Sequence, residues 1–288
     1  MYPEAGGDVG GAGDYYPEPS FRSNIGYHLE GMIPLVLILI IVFFLAIKFD
    51  FITNQTPVIG SVANVLGTGG KPSEILIIGD SSPELLAVLN NNKDLVNYRI
   101  RTPSSLERNP REQLANYDVL ILDQSLQEEK AVSRELGDAI VNFVKTGGKL
   151  VTVMNSGIYR KGTPDVVGWK ATFGDIIPVD CEKIYKGSPS CVRYVDVRGR
   201  ILRLNEKHKV MEGIDEFPVD RNLPPILVRT LEVTPLGTEV AYIQDEFERG
   251  QTVTAIVEKP LIVGKSVYFN YNPGLTPGIF ENTLKYLR

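Results

Sequence analysis

The sequence predicts an α/β domain with a parallel sheet and a β-rich C-terminal part, preceded by one transmembrane helix. Three observations carry this. Residues 31–47, GMIPLVLILIIVFFLAI, hold no charge. From residue 74, short apolar runs alternate with amphipathic stretches. After residue 160, short β-rich segments dominate.

Residues 1–30 hold many Gly, Pro and acidic residues and few aliphatics. Such a tail cannot bury enough apolar surface to offset its ordering entropy, so it reads as disordered. Tyr2, Tyr15 and Tyr16 are its candidate partner contacts, with plain solvation as the alternative. Residues 31–47 span roughly 25 Å as a helix, and Lys48 can snorkel so that the following apolar residues lengthen the span. The segment shows no amphipathic face, as a soluble core helix would. Its acidic flank and the lack of a small-x-small site argue against a cleaved signal peptide. We therefore read 31–52 as one uncleaved anchor and 53–73 as a linker, its end marked by Gly67, Gly69, Gly70 and Pro72.

Charge says little about orientation, because Arg22 and Lys48 nearly balance across the helix. Two features favour an extracytoplasmic domain. Asn54-Gln55-Thr56 is a glycosylation sequon. Cys181 and Cys191 flank EKIYKGSPS, which reads as a hairpin loop. A disulfide there would contribute about 2–3 kcal/mol, while the alternative is two buried thiols.

The domain, 74–288, opens with EILIIG (74–79), an apolar strand. Ser81-Ser82-Pro83 then offers a capping hydroxyl and a proline for the first helical position. PELLAVLNNN follows as a helix, and VNYRIR (96–101) is the second strand. YDVLILD (117–123) is nearly all apolar, as a strand covered on both faces must be. A helix is expected over about 127–146, from Val132, Leu136, Ala139, Ile140, Phe143 and Val144 on one face and Gly147-Gly148 at its end. KLVTVM (149–154) is the fourth strand. This alternation implies parallel strands with right-handed crossovers. Further strands are expected at 192–197, 201–205, 226–233, 238–244 and 252–258. KSVYFNYNPG supplies another, and a final helix sets Ile279, Phe280, Leu284 and Leu287 against the sheet.

Composition excludes several functions. The net charge is −5 and no basic stripe with interleaved aromatics occurs, which argues against nucleic acid. Two cysteines ten positions apart and two histidines, His28 and His208, do not make a zinc site. No metal and no cofactor are expected.

Several stretches resemble the class I glutamine amidotransferase-like superfamily, in its trehalose-utilisation-type and gliding-motility-type branches. These are EILIIGDSS, YDVLILD before a long helix ending FVKTGGKLVTVMNSG, NEKHKVMEGI (205–214), and the closing AIVEKPLIVGKSVYFNYNPGLTPGIFENTLKYL. The family has proline where Lys209 stands. The resemblance covers about 73–288 and implies a flavodoxin-like sheet.

It also implies an elbow, Gly-x-Cys-x-Gly, after the fourth strand. Aligned on Gly157, that elbow reads Val153-Met154-Asn155-Ser156-Gly157. Asn155 stands at the nucleophile position, and an amide is not a nucleophile at neutral pH. The pattern is therefore degenerate. Ser156 with His208 as base is the weak catalytic candidate. Asp80, Ser81, Asp123 and Trp169 are candidates for a ligand crevice at the strand ends. Helix capping is the plainer role for the two carboxylates, and core packing for the tryptophan.

The expectation is a membrane-anchored, catalytically inactive binding or scaffold domain. Its expected partners are the lipid bilayer, a membrane protein and, at the crevice, a glycan. The alternatives are a hydrolase using Ser156 and His208, or a carbohydrate-binding module.

Overall fold

The computed structural model describes residues 34–39, 41–42 and 71–288, apart from 182–183, 186–187 and 248–249. The expectations for 1–30, for most of 31–52 and for Asn54 lie outside these residues. Residues 34–39 and 41–42 are helical, and their apolar side chains are exposed. Among the described residues no helix is long and apolar enough to cross a membrane. The chain divides into two compact units, Met1–Gly69 and Gly70–Arg288. The second holds everything that follows.

Strand β1 (Ser73–Gly79) is buried at every residue but Glu74. Ser82 caps α1 (Pro83–Asn91), accepting the Leu85 N–H at 3.1 Å, with Pro83 at the first turn. β2 (Val96–Arg101) is the sheet edge and is largely exposed. A 3₁₀ turn and a short helix, α2 (Pro110–Leu114), return the chain to β3 (Val119–Asp123), buried throughout.

The next helix, α3 (Arg134–Lys145), begins seven residues later than expected. Its cap is Ser133, which accepts the Leu136 N–H at 3.3 Å. Residues before it are held elsewhere: Ala131 and Val132 pair with Tyr159 and Arg160 in a small separate sheet. Strand β4 (Lys149–Val153) follows, then α4 (Trp169–Phe173).

The C-terminal part adds β5 (Tyr194–Arg203), β6 (Glu216–Phe217), β7 (Ile226–Leu231), β8 (Thr238–Asp245), β9 (Thr252–Pro260) and β10 (Lys265–Phe269). α5 (Pro277–Leu287) ends the chain. β5 is one strand where two were expected. Arg198-Gly199-Arg200 looks like a break, but Gly199 is there for close approach: a Cβ would lie 2.2 Å from the Gln244 carbonyl oxygen on β8.

The sheet runs β6-β5-β8-β9-β10-β4-β3-β1-β2, with β7 also paired to β5. The neighbours from β10 to β2 are parallel, and the remainder are antiparallel. The parallel order, 2-1-3-4 and then β10, fits a flavodoxin-like sheet. Among the described residues, Trp169, Phe173, Tyr268, Phe269, Tyr271 and Phe280 form the aromatic part of the core, all fully buried. Several polar interruptions of that core, among them Ser81, Ser82, Asp123, Asn155 and Ser156, lie at or just beyond strand ends.

Candidate functional site

In an open parallel sheet, ligands bind beyond the C-terminal strand ends, where the strand order reverses. Here that point lies between β1 and β3. Gly79 faces Asp123 across the ladder, and the Asp80 N–H donates to the Asp123 carbonyl at 2.8 Å. The Asp80 side chain is exposed and makes no hydrogen bond among the described residues. The Asp123 side chain is 1% exposed, and its Oδ1 accepts the Ser125 N–H at 2.9 Å. Neither carboxylate caps a helix, contrary to expectation; Ser82 and Ser133 do that.

Asp123 Oδ2 and the Ser81 hydroxyl are both buried without a hydrogen-bond partner among the described residues. The hydroxyl is close enough to favour the charged carboxylate, but the geometry joins no bond. Burial pushes the Asp123 carboxyl above its usual range, outweighing the pull of the Ser125 hydrogen bonds and of Lys130. A raised folded value means that this group's stabilisation is complete below its unfolded value and is lost as pH rises through the folded one. Asp123→Asn keeps the acceptor for Ser125 and offers Ser81 a donor. It is expected to raise stability at neutral pH, where burial disfavours the charged carboxylate, with the gain shrinking in acid. Urea unfolding at several pH values checks this; a loss of stability at pH 7 would show that the carboxylate is ionised and usefully bonded.

A resident cation stands near Asp123. Lys130 is 6% exposed, and its Nζ donates to the carbonyls of Gln124, Ser125 and Gln127. Burial lowers its pKa, and Asp123 partly restores it. No cluster of three metal-ligating side chains occurs among the described residues.

Beyond β4 the chain turns at Met154, whose N–H still bonds the Phe269 carbonyl of β10 at 2.8 Å. Met154 takes φ of +50°, left-handed for a residue that is not glycine. Such strain collects at catalytic turns, where it holds a nucleophile out of the sheet. The strained position is thus Met154 and not Asn155, one residue earlier than alignment on Gly157 implies. A thioether has no proton to lose, so it cannot take the nucleophile's part.

Ser156 is fully buried, and its Oγ accepts the Gln124 N–H at 2.7 Å. The Gln124 side chain returns the contact, its Oε1 accepting the Gly157 N–H at 2.7 Å. Asn155 Oδ1 accepts the Tyr194 hydroxyl at 2.9 Å, tying the turn to the start of β5. Asn272, after β10, accepts the Ser82 hydroxyl at 2.9 Å. The turn is a junction of strand ends rather than an open elbow.

His208 is not on a polar surface loop, and it is not brought to Ser156. Its Nε2 lies 2.7 Å from Glu258 Oε2, with side-chain exposures of 8% and 6%. Glu258 pairs with Val267 on β10, two register positions before Phe269, the partner of Val153. It therefore lies back toward the opposite end of the sheet from Ser156. Trp169 is likewise no stacking platform. It is fully buried, packs edge-on to Tyr268 at 5.6 Å between centroids, and donates Nε1–H to the Ser156 carbonyl at 3.0 Å.

A serine-directed electrophile is accordingly expected to leave the chain unlabelled. Ser156→Ala is expected to cost about 1–3 kcal/mol, because the buried Gln124 N–H loses its acceptor. Labelling that disappears in Ser156→Ala would mean that the hydroxyl is exposed and activated.

Cys181 and Cys191 form a disulfide, with Cα atoms 5.1 Å apart. Between them, Ile184–Tyr185 and Ser188–Pro189 pair as a hairpin.

Sequence reasoning missed Gln124, Lys130 and Asn270. The last is fully buried, accepts the Leu231 N–H at 3.0 Å and donates to the Leu231 and Thr254 carbonyls. Its place just after a strand was the one available signal.

No protein-family model and no curated protein matches the chain. Solved structures do. A ThuA-like protein from Parabacteroides merdae is 11% identical over 75% of this chain and 90% of its own, with a TM-score of 0.49. A β-galactosidase from Rahnella is 16% identical over 80% of this chain, with a TM-score of 0.48; the match spans 34% of the galactosidase. A GMP synthase-like protein from Thermoplasma acidophilum is 9% identical over 75% of this chain and 94% of its own, with a TM-score of 0.42. Likeness at this level transfers no activity and no residue role. The fold assignment rests on the strand order itself.

Proposed function

We propose that this chain is a single-pass membrane protein whose domain is a catalytically inactive member of the class I glutamine amidotransferase-like superfamily. It serves as a binding or scaffold module in a membrane complex. One observation carries the reading: methionine holds the strained position after β4, and the only hydroxyl of that turn is buried and bonded. The uncharged run 31–47 supports the anchor. The Cys181–Cys191 disulfide supports an oxidising, extracytoplasmic location. The hydrolase alternative loses its base to Glu258, and the glycan alternative loses its stacking ring to the core.

The test is isolation from native membranes in mild detergent at native expression. Co-purification of a membrane protein in fixed ratio is the expected result. Recovery of the chain alone would count against a scaffold, and recovery from the aqueous fraction without detergent would remove the anchor.

A further inference from the structure

We propose that β2 is a docking strand: an extended segment of a protein partner, acidic at alternate positions, adds to its outer edge as a further strand of the sheet. This rests on the scaffold reading and names the contact through which it works. Three observations meet at this edge.

The first is an open ladder. Among the described residues, β2 pairs along its whole length with β1 and with no other strand. In a parallel ladder, successive residues turn their backbone groups to opposite sides. The Leu95 carbonyl accepts the Ser73 N–H at 2.9 Å, so Asn97, Arg99 and Arg101 also turn toward β1. Tyr98 and Ile100 therefore aim N–H and C=O outward, where they meet no partner among the described residues. Edges are commonly guarded by shortness, proline, a bulge or charge. β2 has six residues, no proline and no register shift. Charge is the guard that remains, and charge also selects a partner.

The second is that charge. Asn97, Arg99 and Arg101 share one face. A cleft of about 410 Å³ opens beside them toward α2, lined in part by Lys71, Glu74, Arg99, Arg101, Gln113 and Tyr117. Three cations there face one carboxylate. Glu74 Oε1 accepts from the Asn97 amide at 3.1 Å, and Arg101 donates to Gln113 Oε1 at 2.8 Å. Lys71, Arg99 and Arg101 join no carboxylate among the described residues. The acids nearby have cations of their own. Asp118 accepts the Glu74 N–H at 2.9 Å and acts on Lys149. Glu107 pairs with Lys161 at 2.8 Å. Asp94 follows Lys93, Glu112 follows Arg111, and the terminal carboxylate belongs to Arg288. Asp80, beyond the end of β1, is the next carboxylate, and counting it still leaves the cations in excess.

The third is the alternation. Ile100 lies between the two arginines, faces the other way and is 45% exposed. Beside it, the Tyr98 hydroxyl donates to Asn90 Oδ1 at 3.2 Å, and α1 carries no charge after Glu84. One face of the edge is thus cationic and the other is apolar and neutral. A strand laid alongside meets both, since its side chains alternate with a period of two. Opposite charges favour cross-strand pairing, and so do apolar neighbours. The complementary segment therefore reads acidic, apolar, acidic. Backbone bonds attach it and the side chains select it. A second copy pairing through the same edge would set arginines against arginines, which favours a different chain as the occupant.

The test uses the full chain in mild detergent and a labelled peptide, Glu-Val-Glu-Val-Glu-Val, followed by fluorescence anisotropy. Saturable binding is expected. Arg99→Glu/Arg101→Glu should weaken it by about tenfold or more, with circular dichroism unchanged, and so should high ionic strength. A Lys-Val-Lys-Val-Lys-Val peptide should show the reverse preference, binding the variant and not the wild type. Methylating alternate backbone nitrogens of the acidic peptide should abolish binding, because the strand bonds are lost. Equal binding by the methylated peptide would mean that the cleft takes anions without strand addition, and would overturn the proposal. No binding by either peptide would mean that the arginines only guard the edge, and would overturn it too. Isolation from native membranes separates this from the scaffold reading. A partner kept in fixed ratio by Arg99→Glu/Arg101→Glu leaves the scaffold standing and overturns the edge as its contact. A chain recovered alone that still binds the acidic peptide removes the scaffold and keeps the docking strand.

Discussion

Gly79→Ala is expected to be severely destabilising to the domain. Gly79 ends β1 at φ of +126°, and an added Cβ would lie 1.9 Å from the Asp123 carbonyl oxygen and 2.6 Å from its carbon. That carbonyl is backbone, bonded to the Asp80 N–H, and cannot swing aside as a side chain could. β1 and β3 would have to part where the sheet is most deeply buried. A cost of about 4 kcal/mol or more follows, a large share of a domain's whole stability. Gly147→Ala is the control. Gly147 has φ of +116°, but nothing lies within 4 Å of the added carbon. It bears only the conformational cost of about 1–2 kcal/mol. Urea unfolding of both variants separates strain from collision. Equal losses would mean that the β1–β3 approach is looser than described.

His208→Ala is expected to cost about 3–5 kcal/mol, because it strips a buried carboxylate of a partner. The Val210 N–H points at Nδ1 at 3.3 Å, so Nε2 carries the hydrogen given to Glu258. Tyr286 donates to the other carboxylate oxygen at 2.6 Å and tilts against the His208 ring at 5.2 Å. The three residues join a 3₁₀ turn, β9 and α5. Burial alone would raise Glu258; the hydrogen bonds from His208 and Tyr286 outweigh it and hold the group below its ordinary value of 4.5. A lowered folded value gives stability that is present above the unfolded value and lost as pH falls through the folded one. The difference between wild type and variant should therefore be greatest near neutral pH and narrow below about 4.5. Thermal melts across that range check it. A variant that melts like wild type at pH 7 would show that this clamp does not hold the domain together.

Several elements were legible because their signals are local. Ser82-Pro83 marks a helix start, since the hydroxyl and the ring act on the next three residues. VLILD reads as a doubly covered strand, since each face needs apolar residues. The start of α3 was not legible. The apolar positions from Val132 onward fit a helix, but Val132 pairs with Arg160, 28 positions on. Lys130 looks like any solvated charge in LQEEKA, and only a closed loop of carbonyls makes it a buried one. His208 stands among charged neighbours, and its partner lies 50 positions away.

The residue order alone determined the kinds of element, their succession and the absence of a thiol after the fourth strand. These depend on side-chain chemistry and on spacings of a few residues. Tertiary structure alone decided that Met154 bears the strain and that Ser156 and Trp169 are sealed into the core. Whether a polar group is buried, and against what, is set by segments that meet only when the chain closes on itself.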